Sequence, residues 1–112
     1  MALLPLPLIP LDMYIQIAYK VLCVIFEWDE TKRQTNLEKH HLDFRDARLI
    51  FDGRNAVHVP ALKNEEARFL SIAIIGDKFY TAVWTWRQPA RRIISFRRSR
   101  HGDENAYHQI HG

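Results

Sequence analysis

From residue 56 to residue 98 the chain has strand character throughout, and its punctuation dictates how the strands connect. β-branched and aromatic side chains recur there, and these fit a pleated, half-buried surface. Residues 56–59 read as a short strand stopped by Pro60, because proline cannot donate to a ladder. Residues 67–75 form a longer strand. Gly76-Asp77 is a tight turn, so residues 79–86 return antiparallel as a hairpin. Gln88-Pro89-Ala90 makes the next turn, and residues 91–98 form the last strand. Simple alternation puts Ile93, Ser95 and Arg97 on one face, with Arg92, Ile94, Phe96 and Arg98 on the other.

The segment ahead of this tract reads differently. Residues 24–28, Val-Ile-Phe-Glu-Trp, form a first strand. Asp29 is an N-cap candidate for a polar helix that ends at His40-His41. Asp43 starts a second helix, in which Phe44, Ala47, Leu49, Ile50 and Phe51 give an apolar stripe near helical period. Asp52-Gly53 stops it. Residues 103–110 form a weak terminal helix. The reading is therefore α+β: a largely antiparallel sheet, two N-terminal helices and a short C-terminal helix.

The 112 residues suffice for one domain. Cys23 is the only cysteine, so an intramolecular disulfide and a cysteine-built zinc site are excluded. That suits a reducing cytoplasm, with Cys23 itself a small core hydrophobe. The net charge of +3 hides an asymmetry. Residues 78–102 contain no Asp or Glu, yet they carry Arg87, Arg91, Arg92, Arg97, Arg98 and Arg100. Such a block attracts a polyanion or an acidic partner. His108 and His111 are three apart, but no partner ligand is evident and no metal site is expected.

Residues 1–23 stand apart from residues 24–112. Pro5, Pro7 and Pro10 forbid a regular helix through the first ten residues. The segment lacks the basic n-region and cleavage site of a signal peptide, and Gln16 and Lys20 interrupt its apolar run. Either it is an arm covering apolar surface, or the natural start lies at Met13 or Val24. The second reading is preferred, and it makes residues 1–23 dispensable for folding.

Several phrases in residues 24–107 occur together. They are Phe26-Glu27-Trp28-Asp29, Asn36-Leu37-x-Lys39-His40, Phe44-x-x-Ala47, Phe51-Asp52, Arg68-Phe69, Thr85-x-Arg87, Arg92-Ile93-Ile94-Ser95-x-Arg97-Arg98 and Tyr107. In order and spacing they resemble the BrnT toxin family. The resemblance implies a RelE-like fold and ribonuclease activity in a bacterial type II toxin–antitoxin pair. It further implies neutralisation by a BrnA-type antitoxin, with operator DNA bound only through that antitoxin. The chain departs from the family at four places. His41 replaces a glycine, Ala67 and Trp86 replace acidic residues, and Gly102 replaces a basic one.

RNA carries its own nucleophile, the 2′-hydroxyl. A ribonuclease must remove that proton, neutralise the crowded phosphate and protonate the leaving 5′-oxygen. No cofactor is required. The resemblance and this chemistry together select Lys39, His40, Arg68 and Arg97 as catalytic candidates. Histidine titrates near neutrality, and arginine forks onto two phosphate oxygens at once. Trp84, Trp86, Arg87, Arg92, Arg98 and Tyr107 are candidates for RNA contact, because single strands are held by stacking and charge. Each residue also has a plainer reading, as antitoxin contact, helix cap or core. Two whole-chain alternatives stay open: a degenerate toxin that only binds antitoxin, and an unrelated small nucleic-acid-binding protein.

Overall fold

A computed structural model describes residues 25–112; the expectations for Cys23 and for the leading segment lie outside the described residues. Strand β1 (Ile25–Trp28) leads into helix α1 (Glu30–His40) and a 3₁₀ helix (Phe44–Phe51). Strands β2 (Ala56–Lys63), β3 (Glu66–Ile75), β4 (Lys78–Arg87) and β5 (Ala90–Arg98) follow, and helix α2 (His101–His111) closes the domain. The five strands make one sheet in the order β1-β5-β4-β3-β2.

The hairpins at Gly76-Asp77 and Gln88-Pro89 form where the turn signals stand, with β3–β4 and β4–β5 antiparallel. The sheet is nevertheless mixed, because β1 pairs with β5 in parallel. Three successive antiparallel steps from β2 to β5, plus the two helices ahead of them, return β5 alongside β1 in the same direction. Pro60 does not end β2. The strand runs to Lys63 with Pro60 opposite Phe69, tolerated because β2 is an edge strand paired on one side only.

The second helix is 3₁₀ rather than α. Its buried residues are Phe44, Ala47 and Ile50, spaced by three, and a helix of three residues per turn lines them up along one ridge. That ridge packs on Ala73, Ala82, Trp84, Ile93 and Phe96 to form the core. Helix α2 is as long as α1, eleven residues each, and is therefore not weak. The Asp103 side chain accepts from the Arg100 backbone N–H at 2.9 Å and fixes its first turn.

Strand β5 carries a bulge that alternation could not foresee. Val83 pairs with Ser95 but Trp84 pairs with Ile93, so Ile94 is extra. Ile93 and Phe96 thus both point into the core although they are three apart. The same slip puts Arg97 (opposite Thr81) on the face of Arg92 (opposite Thr85), correcting the expectation that the two arginines lie on opposite faces.

Beyond Ile93 the outer edge of β5 is not covered by β1. Asn36 of α1 covers it instead. Its side-chain amide donates to the Phe96 carbonyl at 2.8 Å and to the Leu42 carbonyl at 3.0 Å, and its oxygen accepts from the Phe96 N–H at 3.2 Å. Asn36 is the buried residue of an otherwise polar helix. Replacing it by Ala orphans buried backbone groups that no neighbour reaches. Asn36→Ala should lower unfolding free energy by about 1–3 kcal/mol in urea titration. An unchanged midpoint would show that the amide is not what joins α1 to the sheet.

Helix α1 ends at His41, which adopts a left-handed conformation with φ 57°, its N–H bonded to the Leu37 carbonyl. A side chain is strained there and glycine is not. His41→Gly should therefore raise the melting temperature, by an amount equivalent to about 1 kcal/mol. A fall would mean that the His41 ring makes compensating contacts.

Candidate functional site

The bulge and the Asn36 lock sort the basic residues onto two faces. Arg92 and Arg97 share the face of Thr81 and Thr85. Thr85 Oγ1 donates to the Ala67 carbonyl at 2.7 Å, which sets Arg68 beside it on β3. Between the Arg92 and Arg97 rows lies the uncharged row Leu70–Val83–Ser95. Two residues along a strand span roughly 7 Å, so this row separates the cations by that distance on either side. Arg98, Trp84 and Trp86 face the other way, toward the 3₁₀ helix.

A groove of about 270 Å³ runs between α1 and β5, lined among others by Asn36, Lys39, His40, Ile94 and Ser95. Lys39 is exposed and His40 half-buried. The His40 imidazole is held below its ordinary range by burial first, then by the charges of Lys39, Arg97 and Arg100. The end of α1 is thus a neutral histidine facing three cations. Among the described residues Lys39 has no carboxylate within salt-bridge reach.

Four of the selected arginines, Arg68, Arg87, Arg92 and Arg97, are held by acids. Arg68 pairs with Glu66 at 2.9 Å, and Glu66 also takes Arg87 at 3.1 Å. Arg68 first, and the neighbouring Arg87 later, hold the Glu66 carboxyl below the usual carboxylate range. Arg92 meets Glu27 of β1 at 3.6 Å. A phosphate binding these side chains must share or displace a carboxylate. Such half-exposed pairs are weak enough to exchange.

Arg97 sits in a tighter node. It donates to Asp103 at 2.7 Å, and both side chains are only 12% exposed. The same carboxylate oxygen accepts from Thr81 at 3.0 Å and from the Arg100 N–H at 2.9 Å. Burial pushes the Asp103 carboxyl up, but the hydrogen bonds from Arg100, Arg97 and Thr81 outweigh it and leave it low. This node seats α2 on the sheet.

The selected residues therefore divide. Lys39 and His40 share the groove at the end of α1, with the charge of Arg97 acting on His40, while Arg68, Arg87 and Arg92 form a second group on the face that Arg97 shares. Trp84 is a core residue, 4% exposed, with its indole N–H on Ser71 at 2.7 Å. Trp86 is exposed at the far end of the same face as Trp84. Arg98 lies over Tyr80 at 5.5 Å. Tyr107 is the buried residue of α2, edge-on to Phe79 of β4 at 5.2 Å. Sequence reasoning gave no role to Asn36, Glu66 or Asp103. Asn36 carried a signal as the first residue of the Asn36-Leu37-x-Lys39-His40 phrase, and Asp103 as an acid at the start of the terminal helix.

The family model for BrnT, a ribonuclease toxin of type II toxin–antitoxin systems, matches residues 28–103. The chain belongs to the BrnT family. The matched stretch is more than half of the chain and contains every element from the end of β1 to the Asp103 node. Membership in the BrnT family implies RNA as substrate and an antitoxin as partner. A comparison with curated proteins gives no match. Among the described residues no helix is long and apolar enough to cross a membrane, and no three His, Cys, Asp or Glu side chains are placed to hold a metal ion.

The Asp103 node has a pH consequence. A carboxyl whose folded pKa is depressed contributes stability that is present above its unfolded pKa of about 3.9 and is lost as pH falls through the folded value. Urea unfolding should accordingly show stability falling below about pH 4. Asp103→Asn should flatten that acid dependence and cost on the order of 3 kcal/mol at pH 7, because Arg97 is left buried without its counter-charge. An Asn variant with the parent's acid slope would locate the pH sensitivity elsewhere.

Proposed function

We propose that this BrnT family member is an endoribonuclease toxin that cleaves RNA by attack of the 2′-hydroxyl on the adjacent phosphate, without metal. The observation that carries this reading is His40, kept neutral at the mouth of the α1–β5 groove by burial and by Lys39, Arg97 and Arg100. A neutral imidazole can take the 2′-hydroxyl proton at physiological pH; the 2′-oxygen–phosphorus bond then forms as the bond to the 5′-oxygen breaks, leaving a 2′,3′-cyclic phosphate and a 5′-hydroxyl protonated by solvent water. Lys39, exposed and without a carboxylate partner among the described residues, supplies a cation for the charge that develops on phosphate oxygens. Arg68, Arg87 and Arg92 bind flanking phosphates by exchanging Glu66 and Glu27 for them. Arg97 acts on the site through its charge and by seating α2.

The partner in this reading is a BrnA-type antitoxin, which covers the same basic face and carries the pair to operator DNA. The fold that supports it is read as RelE-like. The carboxylates already on Arg68, Arg87, Arg92 and Arg97 favour one competing reading, a chain that has kept antitoxin binding and lost catalysis.

Cleavage of RNA by the purified chain decides between them. His40→Ala should lower kcat about 100-fold or more with the melting temperature retained. Because the His40 pKa is lowered, the acid limb of kcat/KM should fall below about pH 6.5 and vanish in that variant. Arg68→Ala should cost about 100- to 1000-fold, and lysine there should restore only part. Arg97→Ala should lose both rate and stability, unlike Arg68→Ala. No cleavage by the parent chain, together with tight antitoxin binding, would establish the degenerate reading.

A further inference from the structure

Arg91 sits where a cation ought not to be left alone. It stands opposite Trp86 on β4, and its guanidinium lies over the rings of Phe51, Trp84 and Trp86 at 4.7, 5.0 and 4.8 Å. Its Nε is buried and has no hydrogen-bond partner among the described residues. Arg68, Arg87, Arg92 and Arg97 each meet a carboxylate; Arg91 meets none among the described residues. Three π-faces offset part of the desolvation of such a charge, but they do not replace a counter-ion.

Beside Arg91 opens a pocket of about 250 Å³, which His58 and Arg54 also line. Arg54 is already neutralised by Asp52 at 2.7 Å and donates to the Ile74 carbonyl. His58 stacks on Phe51 at 5.8 Å, and its Nδ1 lies 2.6 Å from Ser71 Oγ. Trp84 donates to that same oxygen, so the hydroxyl proton is free to go to Nδ1. The imidazole then carries its own proton on Nε2, as a further donor. Among the described residues no acidic side chain lines this pocket.

We infer that this pocket, on the face opposite Arg68 and Arg92, binds a phosphate group of a nucleotide through the Arg91 guanidinium and His58, with the exposed Trp86 ring stacking the attached base. A carboxylate would also satisfy the charge. The indole beside the guanidinium favours a nucleotide, since a base supplies the flat surface that an exposed indole stacks best. That the nucleotide belongs to the RNA substrate rests on the proposed function. The phosphate chemistry does not.

The test is NMR titration of the full chain, following the His58 ring and the Trp86 indole N–H. Inorganic phosphate should shift the His58 signals with saturation. A nucleoside 5′-monophosphate should bind more tightly and also shift Trp86. Arg91→Lys should weaken phosphate binding about tenfold, because it keeps the charge and loses the fork. His58→Gln should weaken it less, and Arg48→Gln, which removes an exposed charge that does not line the pocket, should leave it unchanged. Trp86→Leu should abolish the nucleotide's advantage over phosphate. Absence of saturable phosphate shifts, or equal binding by the Arg91→Lys and Arg48→Gln variants, would overturn the pocket. So would occupation by an acidic antitoxin segment that phosphate fails to displace. Phosphate binding in a chain that cleaves no RNA would sink the proposed catalysis and keep the pocket. Cleavage without phosphate binding would do the reverse.

Discussion

The contact on which the site depends is the amide of Asn36 against the Phe96 backbone. A β-strand edge that loses its neighbour exposes an N–H and a C=O, and burying them unpaired costs more than most side-chain contacts return. Here one asparagine takes both groups, as a neighbouring strand would. In doing so it sets where α1 lies along β5. Lys39 and His40 stand three and four residues further on, one helical turn away, so their position over Ile94 and Ser95 follows from that pair of bonds. The bulge at Ile94 belongs to the same device. It turns Ile93 and Phe96 both inward, so that Phe96 packs in the core while its backbone remains on the outer edge for Asn36.

Electrostatics in this chain are organised by which cations are paired. Glu66 serves two arginines, Glu27 one, and Asp103 ties Arg97 to α2. Among the described residues without a carboxylate partner, Lys39 and Arg91 contrast most, one exposed to solvent and one over aromatic rings. A basic protein that leaves every arginine unpaired repels itself and binds polyanions without discrimination. Neutralising the flanking arginines with exchangeable carboxylates lowers that background. It also requires a ligand to offer more than charge before the acids give way.

Much of the fold could be read along the chain because its signals are local. Gly76-Asp77 and Gln88-Pro89 mark hairpins by backbone chemistry, and Asp29 and Asp43 mark helix starts by the side-chain oxygens that cap them. The β1–β5 pairing could not be read in the same way. It joins residues more than sixty positions apart, and a strand of four residues says nothing about its neighbour's direction. The bulge left no trace either, since Ile93, Ile94 and Ser95 suit any sheet position. The slip matters to the site, because alternation had put Arg92 and Arg97 on opposite faces and the true register unites them. Trp84 and Trp86 were alike by sequence. Ser71, two strands' width from any turn, accepts the Trp84 N–H and makes it core, while the strand end leaves Trp86 in solvent. The period-three spacing of Phe44, Ala47 and Ile50 was legible in principle, and it distinguishes a 3₁₀ ridge from an α-helical stripe.

The proline within β2 gives the sheet one more property. An incoming strand of another molecule extends a sheet by docking on a continuous row of backbone donors and acceptors. On the outer side of β2 that row has a missing donor at Pro60 and is flanked by His58 and Lys63. Among the described residues the opposite border of the sheet is the four-residue strand β1, a short template for a further strand. On its β2 side the five-stranded sheet is thereby a poor template for a strand from a second copy of the domain.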